Sequence, residues 1–265
     1  MQNVITLTTD FGLSEYVAAM KGVILNINPD ARIVDISHTI SPQGIIEGAY
    51  VLYSTASYFP RAVHVGVVDP GVGTERIGLV LECENCYLVG PDNGLLIPCA
   101  IKMGLKRAFR ISDQKYLLKE VTDTFHGRDI FAPVAAHISK GVSISEIGEE
   151  IEEYVELHLK HHVKHDDMLE GNIIFVDRFG NMITSLDKEI ISECFDFGSL
   201  LKIELVNKDN RIKKEMNFLK SYGFGEKGEL ITTISSSGFF EIAVNQGSAK
   251  DTLGAKQGDL IRIKI

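Results

Sequence analysis

Three apolar runs constrain this chain more than any other feature: VITLTT at 4–9, RIVDI at 32–36 and AVHVGVV at 62–68, each separated from the next by a stretch with helical character. After the first run, Ser14 is placed to cap a helix whose apolar positions Val17, Met20, Ile24 and Ile27 follow helical spacing and which stops before Pro29. A second helical stretch follows Pro42. Further strands are predicted at 78–83 and 86–90, with a short helix after the turn GPDNG at 90–94. A last helix is expected to begin near Asp129 as its cap, with Pro133 in its first turn, and to run to about Lys140 before Gly141. Strands that alternate with helices argue for an α/β domain with a mostly parallel sheet.

From about residue 155 the pattern changes. GNIIFVD, MITSL, LKIELVN, ELITTIS, FFEIAVN and DLIRIKI are short apolar or alternating runs punctuated by glycines, which read as a small barrel or sandwich. The expected division is an α/β domain at 1–155, a linker at 156–169 and a smaller β domain at 170–265. The segment HLKHHVKHDD at 158–167 carries four histidines, but they alternate with Val155, Leu157, Leu159 and Val163 as on a solvated strand face. No fixed ligand geometry follows from that spacing, so no metal is expected there.

The formal charge of −9 repels phosphate backbones, and no basic stripe with interleaved aromatics offsets it, so nucleic acid is not an expected partner. No apolar run approaches the roughly 18 residues of a membrane span. The first residues lack a basic region followed by an apolar stretch, and the reading is a cytoplasmic protein. Of the four cysteines only Cys83 and Cys86 form a CxxC, and no second pair follows it. The flanking VLE and YLV instead predict a hairpin turning at Glu84 and Asn85.

The third run ends in VVDPGVGTER at 67–76, which puts an acid and an arginine seven positions apart. On a helix those positions would lie roughly 10 Å apart along the axis. Pro70, Gly71 and Gly73 rule out a helix and let the loop fold back, aiming Asp69 and Arg76 at one point as a structural ion pair or as half of an active site. Asp10 follows the first strand as Asp69 follows the third, and ligands of open α/β sheets bind beyond those carboxyl ends. TFHGRDIF at 124–131 sets His126 and Arg128 just before a helix N-terminus. The chain has no GxGxxG after the first strand, no Walker loop and no GxSxG elbow. Spacing alone therefore reaches an α/β enzyme with a carboxylate, a guanidinium and an imidazole.

TTDFG (8–12), HVGVVDPGVGTER (64–76), VGPDNGLL (89–96), TFHGRDIF (124–131), VDRFGN (176–181) and FFEIAVNQGSA (239–249), taken in order, resemble the S-adenosylmethionine hydrolases, also called hydroxide adenosyltransferases. The resemblance implies an N-terminal α/β domain, a C-terminal β-barrel and a homotrimer with sites between neighbouring subunits. It implies no cofactor and no metal. The implied reaction is displacement of L-methionine from the ribose C5′ of S-adenosyl-L-methionine by water or hydroxide, releasing adenosine. The family's catalytic triad falls on Asp69, Arg76 and His126. The substrate contacts fall on Asp10, expected to hold the ribose hydroxyls, on Phe125, and on Asp177, Phe179, Asn181 and Ser236 from the second domain, with Phe179 stacking on adenine.

The chemistry suits those residue types. A sulfonium departs as a neutral thioether, so the leaving group needs neither acid nor metal. Water is the weak partner and must be held in line, desolvated and polarised. His126 and Arg76 are assigned to orienting it and stabilising the developing hydroxide, Asp69 to fixing the array and accepting the proton. Two alternatives stand beside this reading. One is a halide-dependent relative of the fluorinase and chlorinase type; by the same resemblance the fluoride-using enzyme has a serine where Gly127 stands and lacks the triad, whereas here both glycine and triad are present. A non-catalytic sensor of S-adenosylmethionine or adenosine would bind without turnover.

Overall fold

The computed structural model describes residues 3–207 and 210–265. Two compact units divide the chain, Met1–His158 and Leu159–Ile265.

In the first unit the elements are β1 (Val4–Thr9), α1 (Glu15–Ile27), β2 (Arg32–Ser37), α2 (Ile45–Thr55), β3 (Val63–Val67), β4 (Gly78–Glu82), β5 (Tyr87–Pro91), α3 (Ile97–Lys102), β6 (Arg107–Ile111), α4 (Ala132–Ser139) and β7 (Gly148–Ile151). They build one seven-stranded sheet in the order β2-β1-β3-β5-β4-β6-β7. β2, β1, β3 and β5 run parallel, β4 and β7 run against them, and β6 runs with them, so the sheet is mostly parallel. Alternate residues of the central strands feed two layers. Ile5, Leu7, Val63, Val65 and Val67 join Met20 and Ile24 of α1 and Val134 of α4 in one core. On the opposite face Gly66 leaves room for Leu52, Leu95 and Leu96, each of which would lie within 3.3 Å of a Cβ there. That vacancy lets α2 and α3 approach the strands closely.

The predicted hairpin is present: the Cys83 N–H donates to the Cys86 carbonyl at 3.0 Å between antiparallel β4 and β5. Helix α1 begins after Ser14 as expected, but the serine hydroxyl makes no capping bond. Asp129 is not a helix cap. It lies fully buried inside one π-helical turn, Gly127–Phe131, that runs directly into α4.

The second unit comprises β8 (Val163–His165), β9 (Met168–Val176), β10 (Met182–Asp187), α5 (Lys188–Cys194), β11 (Leu200–Val206), β12 (Arg211–Phe218), β13 (Leu230–Ile234), β14 (Phe239–Val244), α6 (Ala249–Leu253) and β15 (Leu260–Lys264). The pairings run β10-β14-β13-β12-β11-β15-β9, and β9 pairs β10 again, so seven strands close a barrel with β8 added to β9. Closure removes every edge from those seven strands. Its core takes alternate residues, among them Leu201, Ile203 and Leu205 of β11 and Ile261 and Ile263 of β15. The histidine-rich segment supplies β8, whose residues are exposed.

Candidate active site

The loop after β3 is shaped by its own backbone bonds. The Val72 N–H donates to the Asp69 carbonyl at 3.3 Å, and the Thr74 hydroxyl donates to the Gly71 carbonyl at 2.7 Å. Of the two glycines only Gly73 uses positive φ, at 75°. A Cβ on Gly73 would stand 2.2 Å from the carbonyl oxygen of Asp123, so this glycine also lets the loop pack against the segment that leads to His126. From behind, the Asn93 amide of the GPDNG turn donates to the Val68 carbonyl at 2.8 Å and fixes the point where the loop leaves the sheet.

Arg76 turns back into this loop and joins three groups. Its Nε donates to Asp69 Oδ1 at 2.9 Å, its Nη2 donates both to Asp69 Oδ2 and, at 2.8 Å, to His126 Nδ1, and its Nη1 donates to the Ile77 carbonyl at 3.1 Å. The guanidinium lies 5.2 Å from the centroid of Phe131. The side chains of Arg76 and Asp69 are only 10% and 5% exposed. A forked, water-shielded ion pair of this kind keeps its geometry, because a bidentate bond fixes orientation as well as distance.

His126 is therefore assigned a tautomer. Arginine has only donors, so Nδ1 must accept, and the neutral ring carries its proton on Nε2. Burial, and then the charge of Arg76, lower the imidazole below its ordinary pKa and keep it neutral. Nε2–H is left as a donor on the far side of the ring from the arginine.

Beyond these groups opens a cleft of about 470 Å³, of the size that takes a small molecule, lined by Asp10, Phe11, Tyr16, Gln43, Asp69, Phe125 and His126 among others. Asp10 Oδ2 accepts from the Gln43 N–H at 2.9 Å, and Gln43 sits at a φ of 65°, rare for a residue with a side chain. Phe125 packs edge-on against Phe11 and Tyr16, with centroids 5.7 and 5.0 Å away. A Cβ on Gly127 would come within 3.4 Å of Phe125, Met20 and Phe11, so any side chain there would press on this aromatic floor. Five predicted residues thus share one cleft: Asp10, Asp69, Arg76 behind it, Phe125 and His126.

The other four lie in the second unit. Asp177 organises the turn between β9 and β10: Oδ1 accepts from the N–H groups of Phe179 and Asn181 at 2.8 and 2.9 Å, and Oδ2 accepts from the Asn181 amide at 2.9 Å. The turn leaves the Phe179 ring 75% exposed. Ser236 stands exposed at the tip of the hairpin joining β13 and β14. One residue of this unit went unnoticed in the sequence, although it lies inside FFEIAVNQGSA. Glu241 is buried in β14, accepts from the Tyr222 hydroxyl at 2.6 Å, and is pushed up to about 7, chiefly by burial. An acid in an otherwise apolar strand was the available signal. Among the described residues no cluster of three or more His, Cys, Asp and Glu side chains could hold a metal ion.

An α/β unit with a carboxylate, guanidinium and imidazole joined at the edge of a cleft of small-molecule size, followed by a closed barrel, defines a small-molecule enzyme of two-unit build. The comparisons with known proteins make this specific. The model of the SAM hydroxide adenosyltransferase N-terminal domain matches residues 5–148, and that of the C-terminal domain matches 171–262. A protein of Methanocaldococcus jannaschii named (R)-S-adenosyl-L-methionine hydrolase is 43% identical over 98% of this chain and 95% of its own length. One of the same name from Salinispora tropica is 37% identical, covering 98% of this chain and 97% of that protein. A crystal structure of an uncharacterised conserved protein from Thermotoga maritima superposes with a TM-score of 0.89 at 36% identity, covering 98% of this chain and 99% of that one. The chain belongs to the SAM hydroxide adenosyltransferase family.

Proposed function

We propose that this protein hydrolyses S-adenosyl-L-methionine to adenosine and L-methionine, with Asp69, Arg76 and His126 acting on the attacking water. The observation that carries the reading is the Arg76 fork, which holds the Asp69 carboxylate and the neutral His126 ring on one guanidinium at the edge of the cleft. Water adds to C5′ as the C5′–S bond breaks. The sulfur keeps the bonding pair and leaves as a neutral thioether, and the water gives up one proton. His126 Nε2–H is the donor that orients the water oxygen, and the positive guanidinium stabilises hydroxide as it forms. Asp69 fixes Arg76 and is the carboxylate through which the proton leaves. Asp10, oriented by the Gln43 N–H, receives the ribose hydroxyls, and Phe125 packs beside them.

In the same proposal the protein works as a cytoplasmic homotrimer. Asp177, Phe179, Asn181 and Ser236 of one subunit complete the site begun by the first unit of its neighbour, and the two units act as domains. The family resemblance supports this arrangement.

Incubation of the purified protein with S-adenosyl-L-methionine, followed by chromatography, is expected to yield adenosine and methionine in equal amounts. Ligand that binds and stays intact for hours would leave a sensor and overturn the enzyme. A 5′-halogenated nucleoside as the main product in chloride buffer would transfer the activity to halide.

A further inference from the structure

The machinery around Arg76 leaves one buried acid without a task. Asp129 is fully buried, and its carboxylate collects bonds from two directions. Oδ2 accepts from the Thr122 N–H at 2.8 Å and from the Thr122 hydroxyl at 2.6 Å. Arg128, next to it in the chain, donates its Nε to Oδ1 and its Nη2 to Oδ2. Burial pushes this carboxyl up, but the bonds from Arg128 and Thr122 outweigh it and hold the group ionised, below its ordinary range. The main chain doubles the attachment, with the Leu118 N–H donating to the Asp129 carbonyl at 3.0 Å. Residues 122 and 129 are thus tied together, and His126 lies on the short loop between them.

Two further contacts show where that loop is aimed. Its residue Asp123 abuts Gly73, so the 122–129 loop rests directly on the loop that carries Asp69 and Arg76. Arg128 covers the Phe125 ring with its guanidinium 5.1 Å from the centroid, beside the cleft. An exposed loop of this length has many backbone states, and confining it to one costs conformational entropy at every residue. The imidazole needs one state only, with Nδ1 at 2.8 Å from Arg76 Nη2.

We infer that Asp129, with Thr122 as its partner, is a positioning residue for catalysis: the Thr122–Asp129 staple holds the His126 ring on Arg76 and thereby keeps its proton on Nε2. The inference rests on the reading of His126 given above. Asp129 is not among the residues lining the cleft and acts through the loop; its charge by itself would favour the protonated ring, so the positioning effect is read from Thr122, which is neutral.

Thr122→Val tests it, since valine keeps the size and the main-chain N–H and removes the hydroxyl that donates to Asp129. Expected are a kcat lower by about threefold to tenfold with KM within about twofold, a shift in the ring-nitrogen resonances of ¹⁵N-labelled His126 towards mixed tautomers, and recovery of both in Thr122→Ser. Asp129→Asn, which has one acceptor oxygen for several donors, should fall further in kcat if it folds; the threonine pair decides the matter if it does not. Wild-type kcat together with wild-type resonances in Thr122→Val overturns the staple while leaving His126 in its role. Moved resonances with a wild-type rate overturn it too, and locate the failure in the role of His126. Loss of kcat and KM alike with unmoved resonances reduces the staple to a structural bond and likewise overturns it.

Discussion

His126 can keep its bond to Arg76 only as a neutral ring, because the nitrogen that would take up a proton is the one accepting from the guanidinium. The ring therefore resists protonation in the fold, and its pKa lies below the 6.5 of an ordinary imidazole. The unfolded chain binds that proton more readily, so the ring's contribution to stability is complete above the ordinary value and lost as pH falls through the lowered one. Turnover should follow the same sign. We expect kcat/KM to be flat through neutrality and to fall on the acid side with a midpoint below 6.5, and His126→Ala to abolish that limb. An acid limb centred above 6.5 would contradict the assignment. Asp69→Asn, Arg76→Ala and His126→Ala should each lower turnover by at least about tenfold, with affinity for S-adenosylmethionine within a few fold, since their proposed partner is water. Unchanged rates in all three, measured beside calorimetric affinities, would remove them from the mechanism. These residue types were legible because carboxylate, guanidinium and imidazole carry their chemistry wherever they stand. The tautomer was not, because it follows from a contact across fifty positions of chain.

At the scale of elements, the two glycines of DPGVGTER separate. Gly71 is not at positive φ, and a Cβ there would meet Arg76 Cγ at 3.4 Å, an ordinary contact. Gly73 combines positive φ with a carbonyl 2.2 Å from where its Cβ would be. Gly73→Ala should cost about 1–3 kcal/mol and lower turnover, because relief of the overlap pushes the Asp69–Arg76 loop away from the His126 loop. Gly71→Ala should do much less of either. Thermal melting and steady-state rates of the pair check this, and equal behaviour would refute it. Strand legibility followed apolar runs rather than burial itself, since RIVDI of β2 was legible although none of its residues is fully buried. The apolar strands β1, β3, β4 and β5 and the cysteine hairpin were read from composition and turn residues alone. β6, β7 and β12 were not, because RAFRI, GEEI and RIKKEMNF expose charged side chains on at least one face and bury little. Asp129 misled as a cap for a related reason. A helix-start residue and a loop staple share the same side chain, and only the position of Thr122 tells them apart.

For the whole molecule, the shared-site proposal has a numerical consequence. Asp69→Asn and Asn181→Ala chains, each inactive alone, should complement when unfolded together and refolded, because a mixed cyclic trimer joins an intact first unit to an intact second unit at one junction of three. Random assembly makes about three quarters of the trimers mixed, so activity should return to about one quarter of wild type. Recovery near zero, with mixed trimers verified by mass spectrometry and both variants folded, would reject sites shared between subunits and spare the chemistry of the triad. What the amino-acid sequence determined by itself was what is local: the strand-helix alternation, the change to β near residue 155, the turn residues and the ordered motifs that mark the family. Tertiary structure alone decided the rest. Barrel closure depends on β9 meeting both β10 and β15. The joining of Asp69, Arg76 and His126 depends on Gly73 meeting Asp123 and on Asp129 holding Thr122. Side-chain chemistry and periodicity are properties of neighbours in the chain, whereas a distance between loops is set by how whole elements pack, and no local pattern records it.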